Sequence, residues 1–330
     1  MTLETLFEEF KTKKIIVLGD VMIDAYLSGR VDRVSPEAPV PIVNFSKLEE
    51  RLGGAANVAL NLISLGAQVT MSTVIGQDQE AETMLQLMEE RSISTSGIIR
   101  SKERQTTIKT RVIGNHQQLL RVDQEQTNDI SESEEQALLN DLEKLLKAGC
   151  DALIFQDYNK GVLTETLIEK VIALTKQYNV LTTVDPKLKN FLAYKGVTLF
   201  KPNLKELSEG VQMKIDFANE PSQFEKAIEK LKSIVHPDIV FVTLSEHGVF
   251  IENKDKKHHI AAHKRTISDV SGAGDTVISV ATLCLAAGVN IETLAAMANL
   301  AGGIVCEYRG VVAIKAHELI DEAKKLEIKC

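Results

Sequence analysis

Asp269-Val270-Ser271-Gly272-Ala273-Gly274-Asp275-Thr276 decides the fold: it is a glycine-bracketed turn that runs directly into an apolar helical segment at 277–287. A helix start leaves backbone N–H groups unpaired and carries about half a positive charge, so the amides of Gly272, Ala273 and Gly274 can cradle an oxyanion or a phosphate. Asp275 follows at the mouth of that cradle. A carboxylate beside an anion site suits the removal of a proton from a hydroxyl that attacks a phosphoryl group held by the amides. In isolation the same residues also read as a tight turn with a helix-capping acid.

The chain upstream of this turn favours the first reading. Apolar strands are expected at 152–156, 180–185, 197–201 and 239–244, with a helix at 164–178, an alternation that implies a parallel sheet with right-handed crossovers. Polar residues gather just past the strand ends: Asp157 with Lys160, Asp185-Pro186-Lys187, Asn203 to Glu206, and Ser245-Glu246-His247-Gly248. In doubly wound sheets that carboxyl edge is where ligands bind. Nearer the N-terminus, KIIVLG at 14–19 has the form of a buried parallel strand opening into a loop that carries Asp20 and Asp24, candidates for holding hydroxyl groups. Gly53-Gly54-Ala55-Ala56-Asn57-Val58-Ala59 opens a helix that stops at Gly66, and its small entrance serves close approach to a ligand or tight packing, with Asn57 able to bond a sugar.

Two segments depart from this alternation. Residues 26–51 are interrupted by Gly29, Pro36, Pro39 and Pro41, which predicts a small antiparallel excursion outside the main sheet that covers a site or pairs with a second subunit. Residues 106–112 and 119–123 read as paired strands around Gly114-Asn115, with Lys109, Arg111 and Arg121 at period-two spacing on one face, toward an anionic substrate or toward solvent. Beyond the central turn come a small-residue helix at 291–306 and an amphipathic helix at 316–326, both expected to pack.

Composition bounds the partners. The 330 residues are 44% hydrophobic and 25% charged with a formal net charge of -8, an ordinary globular balance that argues against nucleic acid or an anionic membrane as partner. A phosphate site must therefore be built from local cations and amides. Cys150, Cys284, Cys306 and Cys330 show neither zinc-ligand nor disulfide spacing, and with no signal-like start the expected compartment is cytoplasmic.

Gly53-Gly54-Ala55-Ala56-Asn57 and residues 269–276, in this order and at this separation, resemble the two signatures of the PfkB-type, ribokinase-like carbohydrate kinases, and Asn203-Leu204-Lys205-Glu206 resembles that family's NxxE element. The resemblance covers nearly the whole chain. Gly19-Asp20-Val21-Met22-Ile23-Asp24, residues 35–41 (SPEAPVP), residues 115–123 (NHQQLLRVD) and Asp185-Pro186-Lys187 look like the heptose 7-phosphate kinases of ADP-heptose synthesis. Departures are Leu52 where proline is usual, Ser271 where threonine is usual, and Cys306-Glu307-Tyr308 near the nucleotide edge.

The resemblance implies a three-layer α/β/α sandwich with a central mostly parallel sheet. One kinase domain would span 1–330, with 26–51 and part of 105–123 as a β lid; no nucleotidyltransferase domain is expected, since no HxGH-type motif occurs. It implies ATP- and Mg2+-dependent phosphorylation of the anomeric hydroxyl of D-glycero-β-D-manno-heptose 7-phosphate, on the route to ADP-heptose and lipopolysaccharide core. A kinase for another sugar, sugar phosphate or nucleoside would use the same machinery, whereas a catalytically silent sensor would not need Asp275 and NxxE intact. By the same resemblance Asp275 is the base, with Gly272, Ala273 and Gly274 around the transferring group. Asn203, Glu206, Ser245, Glu246, Gly248 and Asn299 would face the nucleotide, Mg2+ being held through Glu206 and phosphates, with K+ as a further expected ligand. Asp20, Asp24, Gly53, Gly54, Asn57, Lys109, Arg121, Asp157, Lys160 and Lys187 would face the sugar phosphate. A homodimer formed through the lid is the expected assembly.

Overall fold

The computed structural model describes residues 1–329; Cys330 lies outside the described residues. The first half of the chain forms α1 (Leu3–Thr12), β1 (Lys14–Gly19), β2 (Val21–Val34), β3 (Pro41–Gly54), α2 (Ala55–Ser64), β4 (Gln68–Ile75), α3 (Gln79–Glu90), β5 (Ser94–Arg100), β6 (Ile108–Gly114), β7 (Gln117–Gln124) and α4 (Glu132–Lys147). The second half forms β8 (Ala152–Gln156), α5 (Glu165–Gln177), β9 (Leu181–Asp185), β10 (Leu199–Phe200), α6 (Leu204–Gly210), α7 (Pro221–Val235), β11 (Ile239–Thr243), β12 (Val249–Glu252), β13 (Lys257–Ile260), α8 (Ala273–Ala286), α9 (Ile291–Val305) and α10 (Ala316–Lys325). No helix among the described residues is long and apolar enough to cross a membrane.

Nine strands form one sheet in the order β13-β12-β11-β10-β9-β8-β1-β4-β5. It is parallel from β11 to β5, with β12 and β13 antiparallel at one edge. The continuous apolar run of β1 follows from burial on both faces: Ile15 and Val17 join the core under α1, α2, α8 and α9, while Ile16 and Leu18 join the core under α4, α5 and α7. This is the ribokinase-like α/β architecture expected from the sequence. The edge strands β12 and β13 and the helices α4 and α7 were not anticipated, because short edge strands and helices remote from the ligand edge carry only ordinary periodicity.

A second sheet, β3-β2-β6-β7, stands off the first. It corrects the expectation of short proline-broken pieces: β2 and β3 are 14-residue strands, because Pro36 and Pro39 sit in the turn between them and Pro41 begins β3. Gly29, expected to interrupt the segment, instead lies at one of two register shifts in the β2–β3 pair, Ser28/Gly29 and Val31/Arg33. The β6–β7 hairpin turns at Asn115 and His116, with φ of 50° and 69°, the doubly left-handed geometry of a two-residue turn matched to strand twist. Register gives this sheet two unlike faces. Asp24, Tyr26, Lys109, Arg111 and Arg121 share one, whereas Leu27, Phe45, Leu48, Val112, Leu120 and Val122 share the other.

Candidate active site

Gly272 caps α8 with a φ of 80°, and a Cβ there would press on Asn57 Nδ2 and Val311, so both the turn and the close approach require glycine. Ala273 spends its amide on the Val270 carbonyl at 3.2 Å, while the amides of Gly272, Gly274 and Asp275 have no acceptor among the described residues. The opening turn of α8 thus presents free donors beside Asp275, as the sequence predicts for an anion cradle.

Asp275 is 6% exposed. Its Oδ2 accepts from Asn57 Nδ2 at 2.7 Å, and its Oδ1 accepts from Tyr158 Oη at 2.7 Å and Gln156 Nε2 at 3.0 Å. Burial pushes its carboxyl up to about 6 against the pull of the Asn57 and Tyr158 donors, with the Asp185 charge raising it further. Asn57 Oδ1 and Gln156 Oε1 are buried without a partner, and of the two residues Asn57 lines the site cavity.

Behind the cradle, Lys201, only 2% exposed, lies 3.1 Å from Asp185. Burial raises Asp185, but the Lys201 and Lys187 charges outweigh it and hold the carboxyl low. A Cβ on Gly274 would lie 3.6 Å from Asp185 Oδ2 and 3.8 Å from Lys201 Nζ, so this ion pair lines the floor of the cradle. Lys187 pairs with Glu206 and stands 3.9 Å from Asp185. Asn203 and Glu206 form a capping box on α6: the Glu206 amide reaches Asn203 Oδ1 at 2.8 Å and the Asn203 amide reaches Glu206 Oε2 at 2.9 Å. The NxxE spacing is therefore locally a helix cap that also carries a carboxylate to Lys187.

Seven of the ten sugar-side candidates meet in one cavity of about 340 Å³, lined by Asp24, Gly53, Gly54, Asn57, Lys109, Arg111, Arg121, Tyr158, Lys160, Gly272 and Asp275 among others. On its lid wall Arg111 pairs with Asp24, and a Cβ on Gly53 would collide with Asp24 Oδ2 and push that carboxylate from its place. Arg121 grips Asp123 through two bonds at 2.8 and 2.9 Å.

Several candidates sit elsewhere. Both Asp20 oxygens are filled by backbone amides, of Tyr158, Lys160 and Val162 at 2.9 to 3.0 Å, so this buried acid braces the loop after β8 rather than facing the cavity. Asp157 turns inward to the Tyr194 hydroxyl at 2.8 Å, its carboxyl pushed up to about 6 by burial and the Asp20 charge. Lys187 lies with Glu206 rather than with the lid cations. Ser245, Glu246 and Gly248 form the turn after β11, and Asn299 on α9 donates to the Ala261 carbonyl at 2.9 Å; none of the four lines this cavity. Gln156, Tyr158 and Lys201 escaped the sequence reading. The signal for Gln156 and Lys201 was a polar residue ending an otherwise apolar strand, where no hydrophobic pattern calls for one.

A pfkB family carbohydrate kinase model matches residues 12–317. By sequence the chain is similar to the bifunctional protein HldE of Methylobacillus flagellatus, 41% identical over 308 residues that cover 93% of this chain and 62% of that protein. It is likewise similar to the bifunctional protein HldE of Desulfatibacillum aliphaticivorans, 40% identical over 313 residues covering 94% of this chain and 63% of that protein. The chain thus spans a little under two thirds of the length of these curated relatives. Its fold is similar to that of phosphofructokinase-2 from Escherichia coli in complex with potassium, with a TM-score of 0.77 at 17% identity, covering 95% of this chain and 98% of that one. Ribokinase from Arabidopsis thaliana, complexed with ribose and ATP, gives a TM-score of 0.70 at 14% identity over 94% of this chain and 97% of that one. At these identities the structural likeness is one of fold.

Proposed function

The chain belongs to the pfkB family of carbohydrate kinases, and we propose that it phosphorylates the anomeric hydroxyl of D-glycero-β-D-manno-heptose 7-phosphate, giving the 1,7-bisphosphate for ADP-heptose synthesis. The observation that carries this reading is the single cavity that joins Asp275 to Lys109, Arg111, Arg121 and Lys160. A sugar with its reacting hydroxyl at Asp275 has its far end among cations, against a chain net charge of -8. The likeness to the HldE proteins supports the same substrate.

Asp275 takes the proton from the anomeric hydroxyl as that oxygen attacks, while Asn57 and Tyr158 fix the carboxylate's orientation. The Gly272, Gly274 and Asp275 amides offer donors to the transferring group, the kind of preorganised contact whose loss costs roughly 3 kcal/mol per donor in other enzymes. Lys201 and Lys187 bring positive charge to the same side. The site fits a magnesium nucleotide: its donors there are hard carboxylate oxygens and open amides, and no group of three or more His, Cys, Asp or Glu among the described residues could hold a metal unaided. Mg2+-ATP, when bound, supplies the phosphoryl group and neutralises its charge. Glu206 would hold the metal together with the phosphates, and Ser245, Glu246, Gly248 and Asn299 would border the nucleotide.

Glu206→Gln is expected to raise the Mg2+ concentration needed for half-maximal turnover severalfold while leaving the sugar KM within about twofold. A magnesium titration at saturating sugar checks this, and an unchanged requirement removes Glu206 from the mechanism. Substrate choice is tested by coupled ADP release over a sugar panel: the heptose 7-phosphate should lead, and equal kcat/KM with ribose or fructose 6-phosphate would overturn the assignment.

The lid also supports a homodimer. Phe45, Leu48, Leu120 and Val122 are 65%, 48%, 51% and 55% exposed on the face turned away from the site, an apolar area that two copies could cover face to face. Light scattering should give a dimer mass, and Phe45→Glu combined with Leu120→Glu should shift it to monomer; a wild-type monomer at high concentration would leave the lid an intramolecular cover.

A further inference from the structure

Glu125 plays no part in the chemistry at Asp275, yet it sits at the centre of the lid wall's charges. It lies one residue beyond the last pair of the β6–β7 ladder, Ile108 with Gln124, so the sheet does not fix its backbone. Its oxygens take one lysine each: Oε1 accepts from Lys160 Nζ and Oε2 from Lys109 Nζ, both at 2.7 Å. Lys109 belongs to lid strand β6, Lys160 to the loop after β8, and their side chains are 14% and 16% exposed. The neighbouring acids lie on paired strands, Asp24 on β2 and Asp123 on β7. Asp123 has two bonds from Arg121 and one from Lys109 at 3.0 Å, and Asp24 pairs with Arg111. Among the described residues Glu125 has no partner besides the two lysines, and Lys160 Nζ has no acceptor besides Glu125.

A carboxylate that spans two ammonium groups through its two oxygens offers the charge and acceptor spacing with which a phosphate would bind them. Building on the reading that the substrate carries a remote phosphate, we infer that Glu125 is an internal stand-in for it, holding the Lys109–Lys160 pair in the empty site and swinging away when the phosphate arrives. Four cations here (Lys109, Arg111, Arg121, Lys160) already face three carboxylates (Asp24, Asp123, Glu125), so an incoming dianion would turn the cluster net negative unless a carboxylate moves out. Of the three, only Glu125 lies beyond the paired strands, so it is the one whose backbone the sheet does not hold in place. This makes it a specificity-determining residue in two ways. It weakens phosphate binding by competition, and it keeps the lysines paired when a sugar without phosphate enters.

The test titrates inorganic phosphate as a competitive inhibitor of whichever sugar the full chain turns over, in wild type, Glu125→Gln and Glu125→Ala. Removing a carboxylate within contact of the two lysines should lower the phosphate Ki by about fivefold or more at low salt. The kcat should stay within about twofold, since Glu125 touches neither Asp275 nor its partners. An unchanged or higher Ki in both variants makes Glu125 a brace between lid and body, and overturns the inference. The substrate reading stands or falls separately: if wild type does not favour the phosphorylated sugar over its dephosphorylated form, that reading fails, and the Ki comparison still decides the role of Glu125.

Discussion

Replacing Asp275 with asparagine should lower kcat by about a hundredfold or more, because it removes the proton acceptor at nearly constant volume. The fold should tolerate the change. Asparagine removes a buried charge but must turn its amide nitrogen toward one of three donors, from Asn57, Tyr158 or Gln156, and these effects oppose each other. The melting temperature should therefore move by only a few degrees, and nucleotide binding should persist. Since burial pushes the Asp275 carboxyl up to about 6, wild-type kcat/KM should rise with pH through about 6 and level off above it. The sign for stability is opposite. A carboxyl raised in the fold favours the folded state most when protonated, and that contribution is lost as pH rises through about 6. Steady-state rates across pH check both points; a variant keeping more than a tenth of wild-type turnover would return Asp275 to a helix-capping role.

The second large effect should come from the substrate's remote phosphate. Dephosphorylated heptose should lose about two orders of magnitude in kcat/KM against the 7-phosphate, roughly 3 kcal/mol, mostly through KM. The figure is lower than for a fully buried, unpaired charge because Arg121 is 49% exposed and Lys109 and Lys160 keep Glu125 when no phosphate is present. Increasing ionic strength should narrow the difference. The measurement is a pair of kinetic curves on the same sugar with and without its phosphate, and equal kcat/KM would leave a sugar kinase of another specificity.

The sheet and the position of Asp275 were legible because their causes are local. A doubly covered parallel strand writes itself as an unbroken apolar run, as in residues 15–18, and the turn at Gly272 demands glycine for its left-handed backbone. The roles of individual polar side chains were less legible because they depend on what faces them. Asp20 and Asp24 look alike in sequence, yet three amides enclose the first, while the second lines the cavity opposite Arg111. Asn203 and Glu206 carry a helix cap and a candidate metal contact in the same four residues. Glu125 was invisible for a related reason: a glutamate just past a strand has no signature until the fold brings a lysine of β6 and a lysine of the loop after β8 to it.

The most direct test of phosphoryl transfer to the anomeric position is the product itself, read by phosphorus NMR after wild-type protein is incubated with D-glycero-β-D-manno-heptose 7-phosphate, ATP and Mg2+. One ADP per sugar and a new glycosyl-phosphate resonance alongside the retained 7-phosphate are the predicted result. ADP release no greater than in the absence of sugar, or a new phosphate on any carbon other than the anomeric one, would contradict it.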